Sequence, residues 1–348
     1  MAETAVAPFA RWRQPSVPLL LWAAVALGLL AAANIGALQV QWRDWGAALT
    51  DEPLSGSAHV LWHLRLPRVL LALAAGAMLG LAGALTQALF RNPLADPGLL
   101  GVTSGGTCAA ALALTVFSGL HWALPNSARM WVLPVAAFVG TLGVTFALDR
   151  LARWLAPGSV AGLLLTGLAL SAITMAVVGF CSFVATDEQL RNLNFWTMGS
   201  LAAASWKLLL VLGGALLLAA GTAHRVAPLL NALALGDAAA AHVGVNVSRL
   251  RKQMLVLVAL LCALAVAWCG LIGFIGLMAP HMVRQLVGAD QRRVLPLSML
   301  TGALLLLVAD TVARLVAIPA EVPVGIFTAL IGGPWFLMLL RRRMQEQS

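Results

Sequence analysis

One acidic residue inside an apolar stretch is the clearest candidate for chemistry in this sequence. Asp310 stands four residues before Arg314, a spacing that brings two side chains together on a helix. We therefore predict an ion pair between them. An ionisable residue in a membrane segment is costly and often functional, so a proton relay is the alternative. In that case the chain would be an ion-coupled secondary transporter.

The other reactive side chains form no catalytic set. His59 and His63 are four residues apart. We expect no chemical role for this pair, and a metal or haem-iron site is the alternative. Lysine occurs only at Lys207 and Lys252, neither after a glycine, so the phosphate-binding motif G-x-x-x-x-G-K-[ST] is absent. An intramembrane enzyme would need a nucleophile–base pair or a metal cluster, and the sequence suggests neither. We expect a chain that is not an enzyme and that binds no metal or cofactor itself.

The composition identifies the elements that must position these residues. Of 348 residues, 61% are apolar and 10% are charged, against roughly 25% charged in soluble domains. The apolar residues come in blocks of about 20, enough for a helix to cross a ~30 Å hydrocarbon core. We predict an all-α, polytopic membrane protein and exclude a soluble enzyme.

Glycine pairs spaced by four (Gly76 with Gly80, Gly101 with Gly105) predict closely packed helices. The predicted spans are 18–39, 68–90, 98–118, 131–149, 160–184, 205–221, 254–276, 294–316 and 324–340, with a short, ambiguous segment at 279–288.

The short segment decides the topology. It offers only about eight helical residues between Pro280 and Gly288, too few to cross a bilayer unless buried in protein. If it reverses the chain, fifteen of the 22 Lys and Arg residues face the cytoplasm, whereas otherwise ten do. The positive-inside rule favours the first arrangement, with ten transmembrane helices and both termini in the cytoplasm. No loop is long enough for a soluble domain, so residues 1–348 form a single transmembrane domain.

A proline-rich segment follows the second predicted span on the cytoplasmic side. Residues 91–98 read R-N-P-L-A-D-P-G, and the residue before Pro93 is pushed out of the α-helical conformation. Asp96 can cap the next helix, with Pro97 at its first position. The segment is therefore predicted to be a stiff turn, and a gate is the functional alternative.

The long cytoplasmic loop, residues 222–253, contains one short helix. Its Ala-rich stretch 237–242 should be helical, with Asp237 at the positive end and Gly244 ending it. A short helix between glycines in such a loop suggests a docking surface for another protein.

Three arginines are predicted on the outer side, against the positive-inside bias. Arg65 and Arg68 open the second span, and Arg314 ends the ninth. We expect them to bind carboxylates of a partner protein, with lipid phosphate as the alternative.

An ordered set of motifs, running over nearly the whole chain, resembles the FecCD-type permeases. These are the membrane subunits of ATP-binding-cassette (ABC) importers for iron-siderophores, haem and cobalamin, with the type II importer architecture. The stretch at 187–201, D-E-Q-L-R-N-L-N-F-W-T-M-G-S-L, is most similar to the haem importers. The other motifs are R-L-P-R at 65–68, R-N-P-L-A-D-P-G-L-L-G-V at 91–102, L-G-D-A-A-A-A-H-V-G-V at 235–245, G-F-I-G-L-M-A-P-H-M-V-R at 273–284, A-D-T-V-A-R at 309–314 and P-A-E-V-P-V-G-I-F-T-A-L-I-G-G-P at 319–334.

The resemblance implies partners and assigns residue roles. The chain would form a homodimer in the bacterial inner membrane, with two ATPase subunits that bind ATP and Mg²⁺ and a periplasmic substrate-binding protein. Arg65, Arg68 and Arg314 would meet acidic residues of the binding protein, and the helix that begins at Val160 would line the path. The segment coupled to the ATPase would comprise Leu235, Gly236, Asp237, Ala241, His242 and Gly244. The cytoplasmic gate would comprise Asn92, Leu94, Pro157, Gly158 and Ser159.

The cargo is less defined than the architecture. Haem is the cargo that the resemblance favours, and an iron-siderophore or cobalamin is the alternative. Val160 and Ala161 stand where some relatives have hydroxyl residues, so a polar contribution to the gate is not expected there.

Overall fold

A computed structural model describes residues 16–36, 38–47, 55–118, 125–157, 159–318 and 320–347. These residues form helices and connecting turns, with no strand among them. The helices are α1 (Ser16–Asn34), α2 (Trp42–Gly46), α3 (Gly56–Leu89, π-helical over Val60–Arg65), α4 (Val102–Leu114), α5 (Asn126–Leu155), α6 (Val160–Val184), α7 (Asp187–Thr197), α8 (Trp206–Ala234), α9 (Asp237–His242), α10 (Val247–Cys269), α11 (Ile275–Val287), α12 (Gln291–Val316) and α13 (Val324–Gln347).

The all-α, polytopic prediction is confirmed. Each of the ten predicted segments coincides with a helix, and seven described helices are long and apolar enough to span a membrane: α1, α3, α5, α6, α8, α10 and α12. Helix α11 has 13 residues and rises about 20 Å, less than the ~30 Å hydrocarbon core. Its first seven residues, 275–281, are all buried in the protein, as the topology argument requires.

Two predicted boundaries are wrong and one helix is missing from the prediction. Helix α8 continues to Ala234, so most of the predicted loop 222–253 is helical and only short turns flank α9. Helix α10 ends at Cys269 instead of residue 276, because Gly270 has a φ of +68° and leaves the helical path. Helix α7 was not predicted, although Thr186 and Gln189 form a capping box at its start.

Helix α3 is the centre of the bundle and contacts its neighbours through glycines. A Cβ atom on Gly76 would collide with the carbonyl oxygen of Gly302, and one on Gly80 with that of Ser298, both in α12. Gly83 meets the carbonyl of Gly276 in α11 in the same way. Small residues allow such backbone contact, so the close packing predicted from Gly76 and Gly80 is confirmed.

The glycine contacts lead to a test by paired alanine variants. Gly83→Ala should lower the thermal unfolding temperature of the detergent-solubilised chain by several degrees, because the added methyl overlaps backbone and overpacking costs about 1–3 kcal/mol. Gly214→Ala is the control, since its Cβ would meet nothing within 4 Å. Alanine is the better helix former, so that variant should unfold no earlier than the wild type. Equal melting temperatures for the two variants would contradict the packing.

Candidate functional site

Buried charges join α3 and α12 at the predicted outer end of the bundle. The carboxylate of Asp310 is fully buried and accepts hydrogen bonds from Arg68 Nε at 3.0 Å and Arg314 Nε at 3.1 Å. Arg68 also donates from Nη1 to Glu321 at 2.7 Å. The predicted ion pair between Asp310 and Arg314 is confirmed, and Arg68 and Glu321 extend it to a four-residue network.

Two arginines, Arg65 and Arg314, bind backbone carbonyls at and after the C-terminal end of α1. Arg65 donates to the carbonyl oxygens of Ala33 and Asn34 at 3.2 and 3.1 Å, and to that of Leu38 at 2.6 Å. Arg314 donates to the carbonyl of Ala32 at 3.1 Å. The last carbonyls of a helix lack intrahelical donors and carry partial negative charge, so guanidinium groups stabilise this end.

These contacts involve the three arginines predicted at the outer side. Arg68 shares Asp310 with Arg314, the residue whose pairing with Asp310 was predicted from the sequence. Arg65 is 6% exposed and is held by carbonyls. Docking of a binding protein on all three remains a prediction, and Arg68 is the one whose partner, Glu321, is half-exposed.

The two histidines flagged in the sequence lie on successive turns of the outer extension of α3. The rings of His59 and His63 stack with centroids 4.3 Å apart and an interplanar angle of 17°, and both residues are exposed. Within the described residues no group of three or more His, Cys, Asp or Glu could hold a metal ion. A metal or haem-iron role for this pair stays a prediction.

At the opposite end of the bundle, the turn after α3 has the predicted stiff form. The side chain of Asn92 accepts a hydrogen bond from the N–H of Leu94 at 2.9 Å. Asp96 caps the following 3₁₀ turn by accepting from the N–H of Gly98 at 2.7 Å, with Pro97 at the first position. Burial raises the pKa of Asp96, while the N–H of Gly98 acts in the opposite direction. Asn92 is exposed and Leu94 half-buried.

The short helix predicted at 237–242 is present with the predicted bounds. Asp237 is its first residue, and Gly244, with a φ of +84°, follows its end. Ala240 is fully buried, whereas Leu235 and Val243 on either side are 79% and 70% exposed. Ala241 and His242 are exposed too. The segment therefore presents apolar side chains outward, which is typical of a protein contact.

Ion pairs connect this short helix to the turn after α3. The carboxylate of Asp237 lies 2.9 Å from Nη2 of Arg251 in α10 and 3.5 Å from Nη2 of Arg91. Arg91 directly precedes Asn92, so Asp237 contacts the residue next to the predicted gate. Neither Arg91 nor Arg251 could be predicted as its partner from the sequence, because their separations from Asp237 match no helical spacing.

A cavity lies between the coupling segment and the second predicted gate segment, Pro157 to Ser159. Asp237, Ser159 and Arg251 line a space of about 400 Å³ between α5, α6 and α10. Ser159 caps α6 by accepting from the N–H of Gly162 at 3.0 Å, and Pro157 is exposed. Gly158 lies outside the described residues. The structure thus brings the coupling segment next to both predicted gate segments.

The comparisons with known proteins assign the family. The FecCD transport family matches residues 22–342. The chain belongs to the FecCD transport family. It is 43% identical over 331 residues to the hemin transport system permease protein HmuU of Yersinia pestis, covering 95% of this chain and 96% of the relative. It is 39% identical to the Fe(3+) dicitrate transport system permease protein FecD of Escherichia coli, covering 94% and 99% of the two chains.

A solved structure agrees with this assignment. A metal-chelate type ABC transporter in an inward-facing conformation superimposes with a TM-score of 0.80 at 32% identity, covering 94% of this chain and all of the other. This FecCD chain is therefore a multi-pass permease subunit of the ABC importer kind, and such subunits are not themselves enzymes. Family membership also argues against the alternative of a secondary transporter based on Asp310.

The buried network leads to a stability test. Asp310→Asn leaves Arg68 and Arg314 facing each other without their shared negative charge, and breaking a buried pair costs about 3–5 kcal/mol. We expect a large drop in the thermal unfolding temperature of the solubilised chain. Glu321→Gln removes a half-exposed partner of the same arginine and should cost only about 0–1 kcal/mol. If the two variants melted together, Asp310 would not be the centre of the network.

Proposed function

We propose that this chain is the inner-membrane permease of a haem importer. In the proposed assembly, two copies form a homodimer, two ATPase subunits bind ATP and Mg²⁺ on the cytoplasmic side, and a periplasmic binding protein delivers haem. Both termini of the chain lie in the cytoplasm. An iron-siderophore or cobalamin is the alternative cargo. The observation that supports haem most is the match to HmuU over nearly the full length of both chains.

The contact between the coupling segment and the gate supports the proposed mechanism. An ATPase that binds the exposed Leu235 and Val243 would move α9 when it closes on ATP. Asp237 would transmit that movement to Arg91 and so to the turn at Asn92, while Ser159 lines the same cavity. The gate is opened in this way by a rigid contact, and no covalent chemistry takes place in this chain.

An uptake assay tests both the proposal and this coupling. The full complex in lipid vesicles should take up haem only with ATP and the binding protein present. Asp237→Asn should lower the haem taken up per ATP hydrolysed several-fold, because it removes the charge that holds Arg91 and Arg251 and leaves the exposed Leu235 and Val243 in place. Asp187→Asn, which removes an exposed carboxylate from α7 and does not line the cavity, is the matched control.

The same assay distinguishes the alternatives. Competition of haem uptake by excess iron-siderophore or cobalamin would reassign the cargo without changing the permease function. Uptake by the isolated chain, driven by a proton gradient without ATPase, would refute the ABC mechanism. Wild-type coupling in Asp237→Asn would show that α9 is only a linker.

Docking of the binding protein at Arg68 can be tested through Glu321. If a carboxylate of the binding protein reaches Arg68, it must compete with Glu321, which already accepts from Nη1. Glu321→Gln should then strengthen the complex roughly two- to fivefold at low salt, the range expected for one exposed ion pair. Glu188→Gln is the control. It also removes one negative charge, from an exposed residue of α7 that does not bond to Arg68, and it should leave the affinity unchanged. Equal affinities of wild type and Glu321→Gln in a salt titration would contradict docking at Arg68.

A further inference from the structure

A large apolar groove runs along the outside of the bundle, and its lining includes none of the gate or coupling residues. It has a volume of about 1110 Å³ and lies between α1, α3, α8 and α12. Its walls are almost entirely aliphatic and aromatic, and among the described residues Arg292 and Arg293 are the charged ones that line it. Two of its apolar residues, Trp22 and Leu217, are 61% and 75% exposed, so the groove is open on the face that meets lipid.

The groove has the depth of one lipid leaflet. Along α12 its lining begins at Arg292 and ends at Ala303, which corresponds to about 16 Å of helix rise. Half of a ~30 Å hydrocarbon core is about 15 Å. Pro18, near the start of α1, and Val287, at the end of α11, line the arginine end. That end of the bundle is the one that the charge bias predicts to be cytoplasmic.

The arginine end of the groove is electropositive. Arg292 and Arg293 lie in the first turn of α12, where their charges add to the positive end of the helix dipole. Asp290, just before this turn, is engaged by Asn231 Nδ2 at 2.7 Å and by the N–H of Arg292 at 3.0 Å. Burial acts to raise the pKa of Asp290, but these hydrogen bonds and the two arginines outweigh it, so the pKa is lowered. Two guanidinium groups and a helix start therefore lie together at this end of the groove.

We propose that this groove binds one anionic phospholipid of the cytoplasmic leaflet. Its phosphate lies on Arg292 and Arg293, since guanidinium groups match phosphate geometry, and its acyl chain follows α12 towards Ala303. Charge at the mouth and apolar walls of one leaflet's depth fit an amphiphile with an anionic head. Contact with a second copy of this chain would not require an arginine pair at one end of the groove and apolar walls along the rest.

Lipid retention measures this binding directly. The chain is reconstituted into phosphatidylcholine vesicles with a minor fraction of phosphatidylglycerol, extracted in detergent and analysed for bound lipid by mass spectrometry. Wild type should retain phosphatidylglycerol several-fold above its share in the vesicles. R292Q/R293Q should abolish that enrichment. R225Q/R249Q is the matched control, because it removes two exposed cytoplasmic-side arginines that do not line the groove, and it should keep the enrichment.

Two further variants separate the groove from simple surface charge. Ala220→Phe places bulk in the groove, leaves both arginines in place and should reduce retention. R292K/R293K keeps the charge and should retain more phosphatidylglycerol than R292Q/R293Q, which also guards against misfolding of the glutamine variant. Unchanged enrichment in R292Q/R293Q, or an equal loss in R225Q/R249Q, would overturn the proposal. So would a change of oligomeric state in Ala220→Phe without any change in bound lipid, because the groove would then be a subunit contact.

Discussion

The close approach of α3 to α11 and α12 is the constraint on which the rest of the structure depends. In hydrocarbon, association between helices gains little from the hydrophobic effect, so it relies on van der Waals contact and on satisfied polar groups. Gly76, Gly80 and Gly83 bring backbone against backbone on two sides of α3. Along the same pair of helices, Arg68 on α3 and Asp310 on α12 form a direct ion pair. The close packing at the glycines and the buried charges thus join the same two helices.

Helix α3 also joins the two ends at which partners are proposed to bind. Arg68, one turn beyond the π-helical stretch, belongs to the outer network, and Arg91, two residues after the helix ends, contacts Asp237 of the coupling segment. Helix α3 is buried along most of its length and is held by its glycine contacts. It therefore links the outer network and the coupling segment as one packed element.

Local patterns in the sequence predict local structure well here. Asp310 with Arg314, the cap at Asp96 and the short helix at Asp237 each depend on residues within one turn, and each is confirmed. Contacts between distant residues could not be predicted in this way: Arg68 and Asp310 are 242 positions apart. The break after Cys269 could not be predicted because residues 270–274 are as apolar as the helix before them. It depends on the positive φ values of Gly270, which packs against Trp196, and of Phe274.

The chemistry of α6 fits the proposal that a separate binding protein selects the cargo. This helix, which the family resemblance assigns to the path, has no charged residue between Val160 and Val184. The hydroxyls of Thr166, Thr174 and Ser182 donate to carbonyls one turn earlier in the same helix. Their donors are thus already used, and the helix offers a cargo mainly methyl and methylene groups. Such an apolar surface discriminates little between large ligands. Strong discrimination requires polar groups positioned to hydrogen-bond one particular ligand. Weak contact along α6 would suit release into the cytoplasm, with the cargo recognised earlier by the proposed binding protein.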